Sequence, residues 1–227
     1  TSYPARSSDR HMLPPEYDYW VFDLDGTLVD VHPEYVHDVM GRVGARLDHE
    51  FSGPEAERVW HSLTGDPNAS LRRYGLEPST FWQVFHEVEQ PERRAAATFL
   101  HQDATLVEEL DRPVALVTHC QRYLTEAVLD RLEIRDWFDT VICCTDETGW
   151  KPDPAPVELA LSRLDGAAEG NGVLVGDGPQ DMAAAWNAGL NAAHVERHGH
   201  DRRGLCVLGD HRVDSFEELL HGGPAGD

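Results

Sequence analysis

From residue 113 onward the chain repeats one pattern, and that pattern narrows the choice of fold more than any other feature. Short apolar runs that read as strands alternate with segments whose apolar residues recur at helical spacing. Residues 113–118, with Val-Ala-Leu-Val inside, read as a buried strand and 121–132 as a helix. Further strands are expected at 140–144, 173–175 and 191–195, with helices at 156–164 and 179–188. Pro179 suits a first helical turn, and Ser215 suits the cap of a last short helix over 215–220. Strands alternating with helices imply an α/β fold: a doubly wound, Rossmann-like parallel sheet. Ligands of such sheets sit at the carboxyl ends of the strands, near the topological switch point.

The N-terminal half reads differently. Residues 17–24 are rich in aromatic and branched side chains and form a first strand, which Asp25-Gly26-Thr27 breaks. Val36, Val39, Met40, Val43 and Leu47 then make a helical stripe over 33–47. From about 31 to 102 the pattern stays helical, punctuated by turns at Ser52-Gly53-Pro54, Gly65-Asp66-Pro67 and Glu77-Pro78-Ser79. No strand-like run interrupts it, so 31–102 is expected to be an inserted all-helical cap, with 13–30 and 103–227 forming the α/β core. His11-Met12 reads as a cloning junction, and residues 1–12 are expected to be a tag or disordered.

Charge excludes several functions. Asp and Glu number 41 against 19 Lys and Arg, a net of −22. Such a surface repels nucleic acid and anionic membranes, so neither is an expected partner. It also repels itself, less so in salt: the Debye length falls from about 10 Å at ~0.1 M to about 3 Å at ~1 M. A halophilic source is therefore expected, with thermal stability rising toward molar KCl. The sequence has no run of eighteen apolar residues and no secretory pattern, which leaves the cytoplasm as the expected location. Cys120, Cys143, Cys144 and Cys206 lack CxxC spacing and read as reduced, mostly buried thiols. Eighteen of the 19 basic residues are arginine; the one lysine is Lys151.

Four segments could carry chemistry. Asp23 and Asp25 lie two apart on extended backbone and so can present two carboxylates to one site, with Gly26 allowing the turn. One carboxylate can attack phosphorus while the other exchanges protons with the leaving and attacking oxygens. A strand ending in an Asp-Gly turn is also common without any chemistry. Thr118, at the tip of the strand over 113–118, can donate to a phosphoryl oxygen, although a plain strand residue or a cap would look the same. Lys151-Pro152-Asp153-Pro154 puts an ammonium on a stiff loop, where it can neutralise a phosphate. Gly176-Asp177-Gly178-Pro179-Gln180-Asp181 ends an apolar strand with hard oxygen donors suited to Mg²⁺. Its two glycines half-match GxGxxG, but an acid stands where the third glycine belongs and would repel a pyrophosphate. No GxxxxGK[ST] loop exists, and the spacing of an EF-hand is not met.

In this order, each at or just beyond the end of a strand, the four motifs resemble those of the haloacid dehalogenase superfamily. The likeness spans about 18–220 and points to the phosphoglycolate phosphatase-like branch, with a small helical cap after the first strand. The resemblance implies Asp23 as nucleophile and Asp25 as acid and base. It implies Thr118 and Lys151 as phosphate binders, with Mg²⁺ on Asp23, the Asp25 carbonyl and Asp177, and Asp181 behind them or reaching the ion through water. Thr27 would fix the first turn. His119 stands where the family usually has Asn, and would hydrogen-bond the phosphate or the substrate.

On this reading the four aspartates and Lys151 sum to −3. Mg²⁺ brings that to −1, and a proton on the general acid to zero. Cap arginines such as Arg42, Arg46, Arg72 and Arg73 are candidate substrate contacts, though most are expected to be plain surface residues. His198-Gly199-His200 with His194 is expected to be a solvated loop rather than a second metal site. The expected enzyme is a phosphomonoesterase acting on phosphoglycolate, a sugar phosphate or a nucleotide monophosphate, as a monomer or homodimer. A phosphomutase or a non-catalytic binding module of the same fold are the alternatives. A dehalogenase is disfavoured because family members with that chemistry lack the carboxylate that Asp25 provides.

Overall fold

The computed structural model describes residues 17–167 and 170–221; the expected tag at 1–12 lies outside them. The chain enters through β1 (Tyr19–Phe22) and leaves it for a short strand, β2 (Val29–Val31). Five helices follow: α1 (Pro33–Leu47), α2 (Gly53–Trp60), α3 (Pro67–Arg73), α4 (Pro78–Val88) and α5 (Pro91–Ala97). Each carries a proline in its first turn, where the missing N–H costs no hydrogen bond. Their apolar stripes meet in a core of their own, in which Val36, Val39, Met40 and Val43 of α1 pack with Leu71, Phe81 and Phe85.

β3 (Thr98–Leu100) then returns antiparallel to β2, pairing Val29 with Leu100 and Val31 with Thr98. This ribbon corrects the reading of 31–102 as all-helical with no strand in it. A three-residue strand is too short to display a period, and its pairing partner lies about seventy residues away in sequence. A 3₁₀ segment (Gln102–Glu109) leads into the second half of the core.

There β4 (Val114–Thr118), α6 (Arg122–Leu132), β5 (Thr140–Cys143), α7 (Ala155–Leu161), β6 (Gly172–Gly176), α8 (Pro179–Asn187) and β7 (Asn191–Val195) follow the predicted alternation closely. α9 (His200–Arg203), β8 (His211–Val213) and α10 (Phe216–His221) complete the described chain. Six strands form one sheet in the order β5-β4-β1-β6-β7-β8, and every neighbouring pair is parallel. Strand periodicity splits the core in two. Trp20, Phe22, Leu116, Val173 and Val175 face Leu129 of α6 and Phe216 of α10, whereas Val21, Ala115, Val117 and Leu174 face Val157 of α7 and Met182 of α8. β1 lies at the centre, and the chain steps from it first toward β5 and then back to β6. The switch point therefore falls at the carboxyl end of β1.

Candidate active site

All four sequence motifs reach that end of the sheet. Asp23 follows β1 directly, its N–H still paired to the Val175 carbonyl at 2.9 Å. The Leu24 carbonyl then accepts from Leu28 and Val29 at 2.9 and 3.0 Å, which folds residues 24–29 into a tight turn. Gly26 has φ +76°, and a Cβ there would stand 2.9 Å from the Asp177 carboxylate, so both backbone and space require glycine. Thr27 is buried and donates weakly to Asp23 Oδ2 at 3.4 Å.

Lys151 is buried at 5% exposure; its ammonium donates two hydrogen bonds, to Asp23 and the Val117 carbonyl, and is ion-paired with Asp181. Nζ lies 2.6 Å from Asp23 Oδ1, 2.6 Å from Asp181 Oδ1 and 2.9 Å from the Val117 carbonyl. Burial opposes the ammonium, but Asp181 and Asp23 more than offset it and hold it charged above the ordinary lysine range. Asp181 is in turn fixed at the start of α8, where its Oδ2 accepts the Gly178 N–H at 3.0 Å. A Cβ on Gly176 would lie 2.4 Å from that of Asp181, which explains the glycine ahead of Asp177.

The donor set fits a magnesium ion. Asp23, Asp177 and Asp181 are all buried, and one carboxylate oxygen from each falls within 4.8 Å of the others. Burial pushes Asp23 up to about 7 against the pull of Lys151, and raises Asp177 well above the carboxylate range against the pull of Arg203. Buried acids of this kind are costly unless a cation compensates them, and three hard oxygens suit Mg²⁺. The Asp25 carboxylate lies outside this cluster.

Thr118 Oγ1 accepts the Cys120 N–H at 3.0 Å, which leaves its own O–H to donate. His119 packs edge-on against Trp150, its ring centroid 5.5 Å away, and its buried Nε2 has no protein partner. Burial, with Lys151 adding to it, pushes this histidine down to about 3, so the ring is neutral.

Two buried cations beside the site escaped the sequence reading. Arg94 on α5 is buried, ion-paired to Asp25, 3.4 Å from Glu89 Oε1, and lies over the Trp60 ring at 5.2 Å. Arg203 on α9 is buried and lies 2.7 Å from Asp177 Oδ2 and 3.2 Å from Glu196 Oε1. Each was one arginine among eighteen, and only the run of small residues after Arg94 hinted that its helix face is buried. The cap arginines singled out in the sequence are surface residues, as expected for most of them. Arg42 and Arg46 form surface pairs with Asp38 and Glu87, and Arg72 and Arg73 are exposed. Arg94 and Arg203 bring Glu89 and Glu196 with them, so six carboxylates face three cations and the balance of −3 stands, differently distributed.

The histidine loop is also corrected. His194 is fully buried and bonds Glu196 at 3.3 Å, and His198 is buried, so neither is solvated. The side chain of His200 lies outside the described residues. Cys143 and Cys144 are buried as expected, Cys120 is partly so, and Cys206 is exposed; all four are free thiols.

The cap roofs the strand ends and closes a cavity of about 830 Å³. Trp60, Trp82 and Phe85 line it from the cap; Trp150, Pro152 and Pro179 line it from the core.

A family model described as haloacid dehalogenase-like hydrolase matches residues 20–195. The chain belongs to this family. Among haloacid dehalogenase-like relatives, it is similar to the pyrophosphatase PpaX of Bacillus velezensis, 27% identical over 219 residues that cover 88% of this chain and 94% of the relative. Two solved structures share the fold. CbbY from Rhodobacter sphaeroides, in complex with phosphate, superposes with a TM-score of 0.68 at 24% identity, covering 90% of this chain and 96% of that one. The HAD-hydrolase YfnB from Bacillus subtilis, bound to magnesium, has a TM-score of 0.61 at 14% identity, covering 90% and 97%.

Proposed function

We propose that this haloacid dehalogenase-like hydrolase is a Mg²⁺-dependent phosphatase that cleaves a small phosphate monoester through an aspartyl-phosphate on Asp23. One observation carries the reading: Lys151 sits 2.6 Å from both Asp23 and Asp181, beside the carboxylate of Asp177, at the switch point of a parallel sheet.

Asp23, Asp177 and Asp181 would hold the ion, which when bound neutralises the buried acids and the incoming phosphate. Lys151 holds Asp23 Oδ1, leaving Oδ2 less encumbered for attack. That oxygen bonds to phosphorus as the ester P–O bond breaks, and Asp25 gives its proton to the departing oxygen. Asp25 then takes a proton from water, whose oxygen attacks phosphorus and releases Asp23 and inorganic phosphate. Thr118 and His119 stand at the same strand end, where the threonine hydroxyl can donate to a phosphoryl oxygen and the histidine ring walls the leaving-group side. A carboxyl that must hand over a proton cannot keep a guanidinium as partner. The Arg94–Asp25 pair is therefore the resting arrangement, and substrate arrival turns Arg94 toward the phosphoryl group.

The cavity favours one of the candidate substrates. Beyond the phosphoryl end its walls are aromatic, and Asp30, Asp66 and Glu89 line it too. Among the described lining residues neither the lysine nor the arginine is left for a second anionic group: Lys151 is held by carboxylates, and Arg94 is taken by the phosphoryl group. A second anionic group, as in phosphoglycolate or pyrophosphate, would meet acids. A nucleoside monophosphate, whose leaving group is flat and uncharged, would meet Trp60, Trp82 and Trp150.

We further read the chain as a salt-adapted protein without nucleic-acid or membrane partners, on its charge of −22. Among the described residues no helix is long and apolar enough to cross a membrane. The test is hydrolysis of an aryl phosphate in high salt, with and without Mg²⁺. Turnover should need the ion and vanish in Asp23→Asn; equal turnover by both proteins would refute the nucleophile.

A further inference from the structure

A second cluster of donors lies where the cap meets the core. Asp30 sits in β2 at the stem of the cap, His61 ends α2 in the cap, and His198 belongs to the core loop between β7 and α9. One ligand atom from each falls within 4.8 Å of the others. Asp30 Oδ1 is 3.6 Å from His61 Nδ1, and Asp30 Oδ2 is 3.9 Å from His198 Nδ1. Those separations are too long for hydrogen bonds. They are close to the spacing of atoms that share an ion, since ligands about 2.0–2.2 Å from a tetrahedral metal lie roughly 3.3–3.6 Å apart.

Independent signs point to a missing partner. The His198 side chain is 2% exposed, and its ring bridges the two acid groups: Nδ1 faces Asp30, while Nε2, without a hydrogen-bond partner, faces Asp177 Oδ2 at 3.6 Å and stays outside the cluster. The two imidazoles lie in contact, tilted by 43° with ring centroids 4.5 Å apart. That is a poor use of two buried polar rings unless something joins them. The loop is held from behind, because the N–H groups of His198 and Gly199 both donate to Glu196 Oε1 at 3.1 Å.

The cations around the cluster are paired. Arg94, Arg202 and Arg203 approach it, but each is neutralised in place, Arg94 by Asp25 and Glu89, Arg202 by Glu57 and Arg203 by Asp177 and Glu196. With Asp30 the surroundings hold six carboxylates and three guanidiniums.

We propose that Asp30, His61 and His198 form a binding site for a zinc-class divalent cation, separate from the magnesium site, which clips the cap to the core. Two imidazoles and one carboxylate are a borderline-soft donor set that selects Zn²⁺ or its first-row neighbours over Mg²⁺. All three residues line the cavity, so the remaining coordination positions open onto it. The site stands whether or not the phosphatase reading does.

Co²⁺ is the probe, because its visible bands report nitrogen-rich tetrahedral coordination. The whole chain is stripped with chelator, saturated with Mg²⁺ and titrated with Co²⁺, followed by absorbance and calorimetry. The expected result is one tight equivalent, displaced by Zn²⁺ and not by more Mg²⁺, and retained in Asp23→Asn. His61→Gln and His198→Gln should each weaken it at least tenfold; Asp30→Asn serves as a further variant if either fails a circular-dichroism check of folding. Zn²⁺ should also raise the wild-type Tm and leave that of the variants unchanged. Absence of a tight equivalent, loss of it in Asp23→Asn, or its persistence in the histidine variants would each overturn the proposal.

Discussion

The two walls of the cavity are built in different ways. On the core side, Asp23, Thr118 and Asp177 each stand at or just past the last residue of a strand, and Lys151 and Asp181 are locked beside them by glycines and prolines in the adjacent turns. On the cap side, Trp60 and His61 come from the end of α2, Glu89 from the end of α4 and Arg94 from α5, and they meet the core through long-range pairs such as Arg94–Asp25. The core wall is thus specified by local chain geometry, and the cap wall by tertiary packing. A rigid wall can hold the phosphoryl end in place, while a wall assembled from helices can change its lining with little effect on the chemistry.

The contrast is tested most strongly at Lys151. Lys151→Met should lower turnover by ~10²–10³-fold, the size of losing a preorganised charge at the reacting centre. It should also destabilise the chain by about 3–5 kcal/mol in chelator, because two buried carboxylates lose their cation; urea titration reads this. An intact rate would show that the core wall is structural alone.

Arg94→Lys is the matching test of the cap. It keeps the charge but loses the fork that spans Asp25 and Glu89. We expect KM to rise and kcat to fall by up to ~10²-fold, because an ammonium cannot give the phosphoryl group the same two-point contact once it leaves Asp25. Unchanged KM and kcat would show that Arg94 never turns to the phosphoryl group. For substrate class, Trp150→Ala should raise KM about five- to tenfold for nucleoside monophosphates, as loss of one aromatic contact of ~1 kcal/mol, and leave phosphoglycolate unaffected.

The cap seam also predicts a pH effect on stability. Burial pushes His61 down to about 4, from the 6.5 of a free ring. The unfolded chain therefore takes up a proton that the folded chain refuses. The His61 contribution to stability should be full above pH 6.5 and fall as pH drops toward 4, against an opposite gain from Asp30, whose carboxyl burial pushes up to about 6. In chelator, His61→Gln should flatten that part of the Tm–pH curve. The smallest local effect is spread over the whole surface: Tm should climb from low to molar KCl as the −22 charge is screened.

Legibility in the sequence followed the same division. Strands of the sheet and the helices between them were readable because burial on both faces and on one face leaves distinct periods. Asp23, Lys151, Asp177 and Asp181 were readable because glycine, proline and a unique lysine mark their turns. β2 and β3 were not, since three-residue strands show no period. α9 and β8 were hidden in a polar stretch, and Arg203 with them. Arg94 looked like any other helix arginine, because nothing local to it reveals that a carboxylate from β1's turn lies opposite.

The central claim is a covalent bond between Asp23 and phosphorus. It can be tested by acid-quenching the protein during turnover of a ³²P-labelled monoester and mapping the label by proteolysis. Label should appear on the peptide that contains Asp23, accumulate in Asp25→Asn, leave on hydroxylamine treatment and be absent from Asp23→Asn. Turnover with no labelled peptide in either wild type or Asp25→Asn would contradict the account.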